Sequence, residues 1–267
     1  MAIKMFVTDL DGTLLTKEHK ISEENKKAIQ EAVAEGVVVT IATGRMYVSA
    51  LPFAKELGVD VPIITYNGAW IKSVSGEELF TSYLAEDAVK DVLDYCLAKN
   101  WQIQVYSDDQ LYFTEHDAYA AGYEELAGLT GHVVGREGIY AHVQRVPKML
   151  SISSGAEETD ARVAELQKTF AGRVFPVKSN PNYAEIIGIG INKATSLEKL
   201  AAKLGFTMDE VMAIGDSNND LPMLKAAGKS VAMGNANDAV KAACDYVTAN
   251  CEESGVAAAI RKYVLQG

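Results

Sequence analysis

The first apolar run of the chain, Met5-Phe6-Val7-Thr8, is short and unbroken, and Asp9-Leu10-Asp11-Gly12 closes it. Unbroken hydrophobicity over a few residues, with turn formers behind it, predicts a strand buried on both faces. Residues 37–43 and 61–66 have the same character. Between these runs the period changes. Over 22–35, Ala28, Ile29, Ala32 and Val33 fall on one helical face behind Ser22, a good N-cap residue, and Gly36 ends the run. Residues 45–57 predict a second helix in spite of Pro52, stopped by Gly58. Strands and helices in alternation predict an α/β fold with a doubly wound, Rossmann-like parallel sheet.

The end of the chain resumes this style. Leu197, Leu200, Ala201 and Leu204 align on a helix over 195–204, and 211–215 is another unbroken apolar strand. A short helix near 221–227, strands at 230–233 and 246–248, and a helix over 256–265 follow. The middle differs. Trp101, Ile103 and Val105 alternate with Gln102, Gln104 and Tyr106, which predicts a strand with one wet face. Further strands are expected at 149–153, 174–178 and 183–187. Val89, Val92, Leu93, Cys96 and Leu97 mark one amphipathic helix, and Val163, Leu166 and Phe170 another. The expected organisation is a core made of 1–82 and 188–267, with an α+β domain over 83–187 inserted into it.

Composition narrows the classes of function. With 267 residues, 48% of them hydrophobic, the chain can bury a sizeable core. No apolar run reaches the ~18 residues of a membrane span. The first residues lead straight into a strand without the apolar stretch of a secretory signal. Cys96, Cys244 and Cys251 are too scattered for a disulfide framework. A cytoplasmic protein is expected. The net charge of −11 argues against a nucleic-acid partner, because that affinity comes mainly from clustered Lys and Arg. An acidic chain that binds a small phosphate needs a local device: a metal ion, a lysine or a helix N-terminus.

Four segments offer such devices. In Asp9-Leu10-Asp11-Gly12-Thr13, two carboxylates two residues apart project to one side at the C-terminal end of a buried strand, where ligands of open α/β sheets sit. Close carboxylates repel, and Mg²⁺ prefers such oxygen donors. Gly215-Asp216-Ser217-Asn218-Asn219-Asp220 follows another buried strand and reads either as a further metal oxygen or as an ordinary Asx-rich loop. Thr43-Gly44-Arg45 suits an anion at a helix N-terminus, although taken alone a capping Thr is the commoner explanation. Lys193 stands before the 195–204 helix, and a solvated surface charge is its plain alternative. Asn67-Gly68 is a hairpin-turn signal.

These four segments, in this order, resemble the motifs of the haloacid dehalogenase superfamily. The 64–69 stretch and the Gly-Asp-Ser-x-Asn-Asp-x-Pro-Met-Leu stretch resemble its Cof-type phosphatase branch, whose large α/β cap matches 83–187 in size and placement. The resemblance implies a phosphatase acting on small phosphate monoesters with Mg²⁺. It implies Asp9 as nucleophile and metal ligand, and Asp11 as general acid and base with its carbonyl on the metal. Asp216 would be the further ligand. Thr43, Gly44, Lys193, Asn219 and the Leu10 amide would hold the phosphate, and Asp220 would support Lys193 or its loop. Ala194 departs from the glycine that often follows the motif lysine, and Arg45 receives no role. A phosphomutase or phosphotransferase on the same scaffold is the alternative, followed by a phospho-acceptor domain, which would need no inserted 83–187 segment. The chain is expected to act as a monomer, with a homodimer as the other option, and neither nucleic acid nor a membrane is an expected partner.

Overall fold

The computed structural model describes residues 2–58 and 60–265; the outermost residues of the expected core, and Val59 within it, lie outside them. The described chain divides into two compact units, one of 1–44, 50–80 and 192–267, the other of 45–49 and 81–191.

The first unit opens with β1 (Met5–Thr8), α1 (Glu23–Ala34), β2 (Val38–Ile41), α2 (Tyr47–Leu57, its first residues counted with the second unit), β3 (Ile63–Thr65), β4 (Trp70–Lys72) and β5 (Glu78–Thr81). Ser22 caps α1 by accepting the Asn25 N–H. The face of α1 is not quite the one the period suggests. Val33 is 46% exposed, while Asn25 is buried and shares its amide between the Leu14 carbonyl and the Ala257 N–H. A satisfied amide is as good a core residue as an apolar one. β3 and β4 pair antiparallel through the turn at Tyr66–Gly68, so the Asn-Gly hairpin signal was sound.

The second unit contains α3 (Glu86–Ala98), β6 (Gln104–Ser107), β7 (Gln110–Phe113), α4 (Ala118–Ala127), β8 (His132–Val133), α5 (Gly135–Gly138), β9 (Lys148–Ile152), α6 (Ala156–Thr169), β10 (Phe175–Asn180) and β11 (Tyr183–Ile187). Its six-stranded sheet runs β10-β11-β9-β6-β7-β8, antiparallel except at β7–β8. One face supplies Val105, Met149 and Ile186 to a core shared with Val89, Val92, Leu93 and Cys96 of α3 and Leu166 of α6. The other face is not wet, contrary to the alternation. Gln104, Tyr106, Lys148 and Glu185 are all buried there. Their polar atoms satisfy one another: Gln104 Nε2 donates to Tyr106 Oη at 2.7 Å, and Lys148 Nζ lies 3.2 Å from Glu185 Oε1 and 4.9 Å from the centre of the Tyr106 ring.

The chain then completes the first unit with α7 (Lys193–Leu204), β12 (Val211–Gly215), α8 (Leu221–Ala226), β13 (Lys229–Ala232), α9 (Asp238–Ala243), β14 (Tyr246–Val247) and α10 (Gly255–Tyr263). Its main sheet has the order β14-β13-β12-β1-β2 and is parallel throughout. All residues of β1 and β12 are buried, which accounts for their unbroken apolar runs. β1 and β12 are neighbours, with Met5 beside Val211, and successive connections depart from this pair in opposite directions. That is a topological switch point, the place where an open α/β sheet leaves a crevice at its carboxyl edge. No helix among the described residues is long and apolar enough to cross a membrane.

Candidate active site

Four chain segments reach this crevice. Asp9 follows β1 directly, its N–H donating to the Ile214 carbonyl of β12 at 3.1 Å. The next residues turn away at once. Gly12 has φ +74°, and a Cβ there would lie 2.6 Å from Asp216 Oδ2, so only glycine lets the first loop pass so close to the second. Thr13 Oγ1 crosses the same gap to donate to Asp216 Oδ1 at 2.9 Å. Sequence reading assigned Thr13 no part, and no local signal could, since its partner is 203 residues away.

Lys193 is the first residue of α7 rather than a residue ahead of it. Asn192 caps the helix by accepting the N–H groups of Ala194 and Thr195, and Thr195 completes a capping box. This fixes the direction in which Lys193 leaves the helix. Its Nζ is fully buried, 2.7 Å from Asp9 Oδ1 and 2.6 Å from Asp220 Oδ1. Asp220 Oδ2 accepts the N–H groups of Asp216 and Ser217, each at 3.1 Å. Asp220 therefore ties the Asp216 loop to the lysine.

Asp9, Asp216 and Asp220 each offer a carboxylate oxygen within 4.8 Å of the others. Burial raises the Asp9 pKa first; Lys193 opposes this, and Asp220, Asp216 and Asp11 add to it. Burial, then Asp220, pushes Asp216 up to about 7. Burial disfavours the charged Lys193, but Asp220 and Asp9 outweigh it and raise its pKa, so it keeps its proton. One ammonium thus faces three carboxylates, two buried and that of Asp216 partly so, and the cluster is short of positive charge. A divalent cation in hard oxygen donors would supply it. Asp220, with acceptor bonds on both oxygens, is the least suited of the three to hold one.

Asp11 lies outside this cluster. Its side chain is 43% exposed, with Oδ1 3.9 Å from His19 Nδ1. Leu10 is buried, and its carbonyl accepts the N–H groups of Thr13 and Leu15. Thr43 follows β2; its N–H donates to the Ile64 carbonyl and its carbonyl accepts the Asn67 N–H. Gly44 lies beneath the Asn67 side chain, and Asn219 Nδ2 donates to Asn67 Oδ1 at 3.0 Å. Asn67 joins this constellation, although its Asn-Gly sequence signals only a turn. Arg45 belongs to the second unit, where its Nη1 donates to Ser49 Oγ at 3.3 Å.

A parallel-sheet switch point carrying a buried Asp–Lys pair and an acidic loop defines a narrow class of enzyme. Residues 6–260 match the family of haloacid dehalogenase-like hydrolases. The chain is 36% identical over 264 residues to a 5-amino-6-(5-phospho-D-ribitylamino)uracil phosphatase of Bacillus subtilis, across 98% of this chain and 96% of that one. It is 32% identical over 255 residues to an HMP-PP phosphatase of Serratia proteamaculans, across 93% and 91%. The crystal structure of a haloacid dehalogenase-like hydrolase from Bacteroides thetaiotaomicron matches with TM-score 0.87 and 31% identity, across 97% of this chain and 99% of that one. The chain belongs to the haloacid dehalogenase-like hydrolases.

Proposed function

We propose that this hydrolase is a Mg²⁺-dependent phosphatase that cleaves phosphate monoesters of small metabolites through an aspartyl-phosphate on Asp9. The observation that carries the reading is Asp9 itself, a carboxylate only 4% exposed at the switch point, with an ammonium 2.7 Å from one oxygen. Asp9 attacks phosphorus as the bond to the ester oxygen breaks, and Asp11 gives its proton to the departing alkoxide. Asp11 then takes a proton from water, which attacks the same phosphorus and breaks its bond to Asp9, releasing inorganic phosphate. The half-exposed position of Asp11 suits a group that exchanges protons with substrate and water. Lys193 keeps its charge throughout and offsets that of the transferring group, which Thr43, Gly44, Asn219 and the Leu10 amide hold. Asp9, Asp216 and the Asp11 carbonyl would hold Mg²⁺, whose charge lets a phosphate dianion approach a carboxylate.

The two relatives take different substrates by name, so the substrate is left at the class of small phosphorylated metabolites, sugar phosphates or similar. We assign its selection to the second unit, acting as a cap, in a protein that works as a cytoplasmic monomer.

Rapid mixing with p-nitrophenyl phosphate tests the mechanism. In Asp11→Asn, the acidic nitrophenol leaves without a proton, but no base activates water. A burst approaching one nitrophenol per site should precede slow turnover, with added phosphate on Asp9 by mass spectrometry. Asp9→Asn should show neither, with kcat down by about 10⁴-fold or more. EDTA should abolish turnover and Mg²⁺ restore it. Full activity without metal, or an isomerised sugar phosphate in place of free phosphate, would sink the reading.

A further inference from the structure

We propose that Asn67 is a positioning residue that sets which way the Asn219 amide faces; the inference rests on the reading of Asn219 as a phosphate contact. The backbone at this point is unusual. Tyr66, Asn67 and Gly68 have φ of +53°, +55° and +102° in succession. Ordinary side chains rarely enter that region, and Asn and Gly do so most readily. The turn is also buried, with Tyr66 at 0% and Asn67 at 2% exposure. A strained, buried turn persists only where its surroundings over-determine it.

Those surroundings are the segments of the site. The Asn67 N–H donates to the Thr43 carbonyl at 3.0 Å. Ser196 Oγ, one turn into α7 from Lys193, donates to the Gly68 carbonyl. A Cβ on Gly68 would lie 2.3 Å from the carbonyl oxygen of Asn192, the cap of that helix, so the two backbones meet only through a glycine. The turn is thus clamped between the end of β2 and the start of α7.

The clamped backbone delivers one atom to a defined place. Asn67 Oδ1 accepts from Asn219 Nδ2 at 3.0 Å, and a Cβ on Gly44 would lie 3.0 Å from the same oxygen. Ser217 Oγ donates to Asn219 Oδ1 at the other end of the amide. An amide has one acceptor and two N–H donors. Flipping that of Asn219 would set its oxygen against Asn67 Oδ1 and its NH₂ against the Ser217 hydroxyl. Asn67 therefore holds the amide in the orientation that keeps its second N–H available as a donor, which is what a phosphate oxygen requires.

The test is steady-state kinetics on p-nitrophenyl phosphate with Mg²⁺. Asn67→Gly removes the side chain yet tolerates the left-handed backbone, and should lower kcat/KM about tenfold or more. That is less than the 10²–10³ of a direct donor, because Asn67 acts through another residue. Asn67→Ala should fall at least as far. In an Asn219→Ala background, Asn67→Gly should cost less than about threefold, because the amide it orients is gone. Should the Asn67 variants not fold, Ser217→Ala releases the other end of the same amide, along with a 3.3 Å contact to Asp220 Oδ2, and should lower kcat/KM with no further loss in the Asn219→Ala background; an equal loss in that background overturns the inference. Equal losses with and without Asn219 overturn the inference, since a purely structural role is additive. So does wild-type activity in Asn67→Gly with loss in Asn67→Ala, which would leave only backbone strain. An inactive wild type overturns the reading of the site and this inference with it, whereas an active wild type with unaffected variants overturns the inference alone.

Discussion

Each unit seals one lysine away from water, and the two lysines are used differently. Lys148, 2% exposed, lies on neighbouring antiparallel strands with Glu185, whose Oε1 also accepts from Ser179 Oγ. Lys193, 0% exposed, lies between two carboxylates where loops converge on the carboxyl edge of a parallel sheet, with a third carboxylate in the cluster. The Lys148 pair balances its charge inside regular structure. The Lys193 cluster does not: burial first, and the neighbouring carboxylates after it, raise the pKa values of Asp9 and Asp216. A buried ion pair is weak evidence of anything beyond packing, because desolvation offsets most of its attraction. An unbalanced cluster at a switch point is different, since folding alone gives no reason to gather like charges there.

The comparison can be broken by experiment. The largest effect is expected at Lys193. Lys193→Ala should lower kcat by about 10²–10³-fold and also destabilise the metal-free protein by ~3–5 kcal/mol, because Asp9 and Asp220 lose their shared cation. Full stability in urea denaturation would mean that the carboxylates find another partner. Next comes Lys148→Ala, which strands Glu185 and should cost a similar ~3–5 kcal/mol, with turnover per folded molecule on a small aryl phosphate of the same order as wild type. The paired change Lys148→Met with Glu185→Leu should recover most of that stability. Failure of the pair to recover would show that Lys148 does more than balance one charge. The smallest effect is expected at Lys90 and Glu86, an exposed i,i+4 pair on α3. Lys90→Ala should move the melting temperature by less than about one degree, and a larger shift would mean that the contrast is not one of burial.

What could be read from the sequence follows the same division. The parallel core was legible because its strands are apolar on both faces, and because the acidic motifs stop those strands at one edge. Ser22 as a cap and Asn67-Gly68 as a hairpin turn were local signals, and the structure has both. In the second unit the alternation of 101–106 was read as one wet face. The face is buried: Tyr123 of α4 packs against Tyr106, Gln104 donates to Tyr106 along the same strand, and Lys148 pairs with Glu185 on a strand distant in sequence. Single-strand periodicity reports polarity, not exposure. The site was legible as a set of residues but not as a geometry. Nothing near Asp220 says that both its oxygens are engaged, or near Asp11 that its carboxylate stands apart from the cluster.

The pairing of β1 with β12 also sets the order in which the molecule can be assembled. Asp9 is made before the 81–191 stretch of the second unit, while Asp216 and Asp220 come after it. Domains tend to fold as units as they emerge from the ribosome. The second unit can therefore become native while β1 still lacks the neighbour that completes the crevice. The long-range closure comes last and carries a large loop entropy, which makes it the natural slow step of folding. Until then the nascent chain holds Asp9 without the lysine and the acidic loop that surround it in the finished fold.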